Sequence, residues 1–144
     1  MKVTIEQIEM TYEFTEHLSY VGMEVSEINK VMSARSAMRP HHESYKAFSE
    51  DVRKAHKPNE ADWRFLEEVE QKGLENATLE DKKRHDELAA PYLRAVKEAL
   101  APELAKEIDL EIEPISAASV AVLLANNRFT LTVLEKGLSF LMPK

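Results

Sequence analysis

Apolar residues recur along this chain at two different periods, and the change of period is the first structural information it carries. From Thr4 onward Ile5, Ile8 and Tyr12, followed by Leu18 and Val21, fall at helical steps, which predicts a first helix ended by Gly22. Thr4 and Gln7 have the spacing of a reciprocal N-terminal cap. Ser26 opens a second periodic segment in which Ile28, Val31, Met38, Tyr45 and Val52 keep phase straight across Pro40, with Arg35 and His42 on the same line. Unbroken phase predicts one long kinked helix reaching Pro58 rather than two helices meeting at Arg39-Pro40. Asn59 then caps a third helix bearing Trp63, Leu66 and Val69 and stopped by Gly73. Thr78 and Asp81 open a fourth, striped by Leu88, Tyr92, Val96, Leu100 and Leu104, with Pro91 and Pro102 as kinks or breaks.

At Ile108 the period drops to two. In Ile108-Asp109-Leu110-Glu111-Ile112-Glu113-Pro114-Ile115 apolar and acidic residues alternate, the pattern of a strand with one buried face. A lone strand is not stable, so a partner is required, and Lys2 to Ile5 or Phe129 to Val133 are the two candidates. Ser116 caps a short helix through Ala125. Thr130 caps a last one carrying Leu131, Leu134, Leu138 and Leu141. The fold class expected is therefore mainly α: a helical bundle with a long kinked helix and a minor β element near residues 108–115. With only three glycines and no linker or repeat, residues 1–144 read as a single helical domain.

Composition removes whole classes of chemistry. The chain has no cysteine, hence no disulfide, thiolate metal site or thiol nucleophile. The glycine count leaves no phosphate-cradling loop. His41 and His42 are adjacent and diverge on a helix, Pro58 separates His56 from Glu60, and His17 and His85 stand alone, so solvated histidines and no metal are expected. Carboxylates such as Glu67, Glu68, Glu70, Glu111 and Glu113 lie on polar faces that give no cause for a shifted pKa. No nucleophile elbow occurs. The reading is of no enzyme, with no catalytic residue, no metal and no cofactor. The first residues reach Glu9 without an apolar run, and no stretch is long enough to span a bilayer, so no membrane association and a cytoplasmic location are expected.

The net charge of -7 is unevenly spread. Residues 1–29 hold six acids against one lysine, and residues 58–113 hold sixteen acids against eight bases. Residues 30–57 instead hold seven bases against three acids, and Arg35, Arg39, Lys46, Arg53, Lys54 and Lys57 form a basic candidate patch. Tyr45 and Phe48 interleave it, as in a nucleic-acid surface, but Tyr45 also belongs to the buried stripe. The basic helix can equally pair with the acidic helices of its own chain, and Arg35 on the apolar line is suited to an internal ion pair. Nucleic acid is thus an unfavoured partner.

The segment Ser116–Ala125 is apolar on every side. A helix of that kind is either sandwiched, here by the first and fourth helices, or covered by a second copy or a partner. The candidate partner-binding residues are Ala118, Val120, Val122, Leu124 and Ala125.

Two runs carry a family resemblance. Lys2-Val3-Thr4-Ile5-Glu6-Gln7-Ile8 and Glu107 to Ser116 resemble the corresponding segments of a family of small proteins encoded by tailed bacteriophages and prophages. The family's pattern is a short opening helix, a long charged helix, an acidic alternating strand ending in Pro-Ile and a capped C-terminal helix. This chain departs from it in the middle, where the long helix is basic and Ser116–Ala125 is longer and more apolar. The resemblance implies phage origin and synthesis in a bacterial host cytoplasm, and it carries over no catalytic residue. The function expected is a non-enzymatic bacteriophage accessory protein acting by protein–protein contact, in virion assembly or as a virion component. Its partner is then a phage or host protein, or itself. The rivals are a phage inhibitor of a host enzyme, such as a defence nuclease or the transcription machinery, and a nucleic-acid binder using residues 30–57.

Overall fold

A computed structural model describes residues 1–137, and its architecture is mainly α with one two-stranded sheet. Strand β1 (Lys2–Thr4) leads directly into α1 (Ile5–Glu16); α2 (Val25–His56), α3 (Glu60–Lys72) and α4 (Leu79–Leu104) follow, then β2 (Glu107–Asp109) and α5 (Ala117–Asn126). A turn of 3-10 helix spans Leu74–Asn76, and a π-helical turn spans Val133–Gly137. Leu138 and Leu141, expected to complete the last stripe, lie outside the described residues. The fold divides into two compact units, Ala47–Pro102 and Met1–Lys46 together with the chain from Glu103. The sequence offers no linker at either junction because α2 and α4 each run through one.

Local rules explain most element starts. Thr4 Oγ1 accepts from the Gln7 N–H at 3.1 Å and the Gln7 side chain accepts from the Thr4 N–H at 3.0 Å, the reciprocal cap expected. Asn59 accepts from Asp62 N, Thr78 from Asp81 N and Ser116 from Ser119 N, each satisfying an otherwise orphaned helix donor. Gly73 closes α3 at φ +86°, a conformation that a side chain disfavours. Both α2 and α4 continue through their prolines. Pro40 and Ser36, whose carbonyl loses its partner, are both exposed, so water can replace the missing hydrogen bond.

Two boundaries differ from the expected ones. Helix α1 stops at Glu16, well before Gly22. The residues after it serve tertiary hydrogen bonds instead: Tyr20 donates its hydroxyl to Thr15 O, and the Ser19 N–H and C=O both pair with the Asn127 side chain, at 2.7 and 2.9 Å. The strand near 108–115 is also shorter than its alternation. β2 pairs antiparallel with β1 in the register Lys2↔Asp109, Val3↔Ile108, Thr4↔Glu107, which settles the partner as the N-terminal run. The ladder gains only Leu110 N to Met1 O at 2.9 Å and Met1 N to Leu110 O at 3.2 Å before its partner strand ends. Through Glu113 the alternation persists in burial alone: Leu110 is buried, Ile112 half-buried, and Glu111 and Glu113 exposed; Ile115, out of that phase, is buried as well.

Apolar packing in the unit that contains the sheet forms two clusters. One joins Val3, Ile5, Ile8, Ala34, Met38 and Leu110. The other joins Val31, Ile115, Val120 and Leu123, with Leu18, Tyr20, Met23 and Phe129 against it. Near the second cluster the chain passes Phe14 so closely that a Cβ at Gly137 would overlap the ring. In Ala47–Pro102 the buried residues are Ser49, Leu66 and Val69, and His85, Val96 and Leu100 from α4.

Candidate functional site

Helix α5 is set in place from both ends. Pro114 precedes it, the Ser116 N–H donates to Glu27 Oε2 at 3.2 Å, and Asn126 and Asn127 close it. Asn126 donates to Val21 O at 3.0 Å, which draws the loop after α1 along the helix, and Val122 stands over Gly22. The inner face is Ser119, Val120 and Leu123, and Leu123 is fully buried. The outer face is Ala118, Ala121, Leu124 and Ala125, all exposed, with Val122 half-buried between the two faces. Leu124 is 42% exposed and the loop residues Val21 and Val25 73% each, while Glu24 and Glu27 line a shallow groove with Ala118 and Val122. No residue from Pro114 to Asn127 carries a charge.

Four of the five candidate partner-binding residues, Ala118, Val122, Leu124 and Ala125, therefore reach the surface. Val120 does not: it packs on Val31, Ile115 and Leu123 and belongs to the core. The first helix, expected to help sandwich α5, contributes no residue to the apolar cluster under it. The inner face of α5 rests on Val31 of α2, on Ile115 and on the loop residues Leu18, Tyr20 and Met23, because the acidic strand brings Ile115 directly to that cluster.

The six basic candidates do not behave as one patch. Among the described residues Arg35 forms no ion pair; it donates to the Tyr12 carbonyl and to Thr15 Oγ1, and its guanidinium lies 4.1 Å from the centre of the Tyr12 ring. A cation near the last carbonyls of α1 also complements that helix's dipole. Arg39 Nε donates to the Tyr12 hydroxyl at 3.3 Å. Lys57 Nζ sits 4.9 Å from the centre of the Trp63 ring. Lys46, Arg53 and Lys54 are exposed.

Two histidines overturn the expectation of solvated rings. His42 is half-buried, bonded through Nδ1 to Glu9 Oε2 at 2.8 Å and stacked on Tyr12 with centroids 4.3 Å apart. Burial pushes the Glu9 carboxyl up, against the lowering effect of the His42 bond and charge. Glu9, Tyr12, His42 and Arg35 thus join α1 to α2 by a layered stack, imidazole on one side of the phenol ring and guanidinium against it. His85 is buried in α4, where helical phase places it one turn before the stripe residue Leu88. The signal was present in the spacing, masked by reading histidine as polar.

Among the described residues no group of three or more His, Asp or Glu is placed to hold a metal ion, and no helix is long and apolar enough to cross a membrane. A cleft of about 500 Å³ lies between α1 and the segment after α5. Met10, Phe14, Leu18, Phe129 and Val133 give it an apolar floor, and Glu13, His17 and Arg128 are exposed at its rim. Its volume is that of a ligand pocket, but it is an open one. Compared with protein-family models, with curated proteins and with solved structures, the chain matches none.

Proposed function

We propose that this protein is a non-enzymatic bacteriophage accessory protein that works by protein–protein contact through the outer face of α5. The observation that carries the reading is the exposed, uncharged outer face of α5 formed by Ala118, Leu124 and Ala125. Contiguous apolar surface exposed to water is unfavourable and marks interaction sites in soluble domains. The small residues let a second backbone approach closely. The place of this contact in virion assembly rests on the resemblance of residues 2–8 and 107–116 to phage and prophage proteins.

The test combines Leu124→Asp with light scattering, far-UV circular dichroism and capture of partners from infected bacterial lysate. The parent protein should self-associate or retain virion proteins, and the variant should lose that contact with an unchanged spectrum and melt. A monomeric parent that captures nothing ends this reading. The exposed acids Glu60, Glu67, Glu68 and Glu70 along α3 favour one rival, an inhibitor occupying a host site built for nucleic acid. Capture of a host nuclease or polymerase would establish that rival. Binding of nucleic acid by residues 30–57 ranks lower, because Arg35, Arg39 and Lys57 are already engaged with aromatic side chains.

A further inference from the structure

Helix α1 and the segment after α5 are tied together at two places and stand apart between them. At one end the Asn127 side chain accepts from the Ser19 N–H at 2.7 Å and donates to the Ser19 carbonyl at 2.9 Å. At the other, Thr11 donates to Gly137 O at 3.3 Å, and Lys136 Nζ lies 3.5 Å from Glu6 Oε1. Ties in this order make the segment run antiparallel to α1. The cleft of about 500 Å³ is the space held open between them. Met10, Phe14 and His17, at steps of four and three, bring one face of α1 to it.

The two ends of the cleft differ chemically. Asn127 precedes Arg128, and Ser19 follows His17 by two residues, so their paired bonds bring a guanidinium and an imidazole to the same end. Both side chains are exposed, and neither has a hydrogen-bond or ion-pair partner among the described residues. The walls between the ties are apolar: Met10 and Phe14 on α1, Phe129 and Val133 opposite, all half-buried. Phe14 and Phe129 meet edge to face across them, with centroids 6.2 Å apart. The carbonyl end of a helix disfavours an anion, but here those carbonyls are engaged. Arg35 donates to Tyr12 O, the Tyr20 hydroxyl to Thr15 O and the His17 N–H to Phe14 O. Glu13 is the one acid among the described lining residues, a helical turn back from His17.

We propose that this cleft binds a single-chain amphiphile with an anionic head, a medium-chain fatty acid. Its carboxylate lies at Arg128 and His17, and its hydrocarbon chain follows Met10, Phe14, Phe129 and Val133. A guanidinium can hold a carboxylate through two parallel hydrogen bonds, which fixes the head. Along α1 the distance from His17 to Met10 is about 10 Å at the helical rise, the reach of an extended eight-carbon chain. The volume falls within the range of small-molecule pockets. The cleft shares no residue with the outer face of α5, so either site can fail alone.

The probe is octanoate, with octanol and octylammonium as uncharged and cationic controls, read by NMR of protein labelled with ¹³C at the methionine methyls. Met10, assigned through Met10→Leu, reports the cleft; Met32 on α2, 60% exposed, reports non-specific contact. Octanoate should shift the Met10 methyl saturably, at about millimolar concentration or below for a ligand of this size, and leave Met32 in place. Octylammonium should bind several-fold more weakly. Arg128→Gln, at an exposed side chain, should weaken octanoate about three- to fivefold and leave both the affinity for octanol and the melt unchanged. No saturable shift of Met10 means that the cleft takes no such ligand, and the proposal is wrong. Octylammonium binding as tightly as octanoate, or parent-like octanoate binding by Arg128→Gln, overturns the assignment of the head group. A Met10 response to phosphatidylglycerol vesicles without one to octanoate overturns it too, because the cleft then meets a bilayer and not a free acid.

Discussion

Two asparagines at helix ends do different work in the two compact units. Asn59, in Ala47–Pro102, caps α3 by accepting from Asp62 N three residues away. Asn127, in the other unit, reaches back to both backbone groups of Ser19 while also donating to Leu123 O. The contrast is general. Side-chain hydrogen bonds within Ala47–Pro102 join residues one to four apart, as in Trp63–Glu67 and Asn76–Lys72. The sheet-containing unit adds to such local bonds a set between residues distant in sequence: Thr11 to Gly137, Arg35 to Thr15, Ser116 to Glu27, Asn126 to Val21. The most completely buried side chains, Ile8, Met38, Ile115, Leu123, Thr11 and Thr15, all belong to that unit too. One unit is built from self-capped amphipathic helices, and the other depends on contacts distant in sequence.

The largest test of this contrast is a charge in the long-range core. Leu110→Asp places an unpaired carboxylate among Val3, Ile8 and Met38 and should cost about 3–5 kcal/mol in chemical denaturation. Glu111→Lys, one residue on and exposed, should stay within about 0.5 kcal/mol. Equal losses would mean that the alternation does not set the buried face. Next in size, Leu123→Ala should lower stability by about 2–5 kcal/mol, whereas Leu124→Ala on the outer face should hardly move the melt.

The two asparagines give a smaller and sharper comparison. Asn127→Ala strands the Ser19 N–H and carbonyl and should cost about 1–3 kcal/mol, with hydrogen exchange accelerated at Ser19. Asn59→Ala removes one cap bond near solvent and should cost about 1 kcal/mol, with faster exchange confined to the first turn of α3. If Asn59→Ala is the more damaging, the distinction between locally and distantly supported units fails.

The smallest effect is a pH dependence at Glu9. Burial holds this carboxyl above its ordinary range in the folded protein. The folded state therefore binds that proton more tightly than the unfolded chain does. Its contribution to stability is fully present at pH below the ordinary carboxylate value and is lost as pH rises through the raised one. Glu9→Gln should remove this downward slope from the stability profile over that acidic window. A side-chain carboxyl titration of Glu9 by NMR with an ordinary or lowered midpoint would contradict the burial that ties α1 to α2.

Local chemistry made much of this molecule legible from sequence. The caps at Thr4, Asn59, Thr78 and Ser116, the stop at Gly73 and the continuous phase of α2 through Pro40 all depend on residues within a few positions of one another. So does the alternation of faces from Ile108 to Glu113. Tertiary structure alone decided the rest. β2 is three residues long because its antiparallel partner β1 spans only Lys2–Thr4, and beyond Asp109 the ladder adds only the Met1–Leu110 bonds. α1 ends at Glu16 because Ser19 and Tyr20 are committed to Asn127 and Thr15. Which side of the uncharged helix α5 faces inward could not be read from a sequence with no polar stripe to orient it; the arrival of Ile115 beside Val31 chose Val120 and Leu123 for the core and left Ala118 and Leu124 outside. His85 differs: its spacing places it with the buried stripe of α4, but its residue type argues for solvent, and the packing of α3 against α4 removes the water from it.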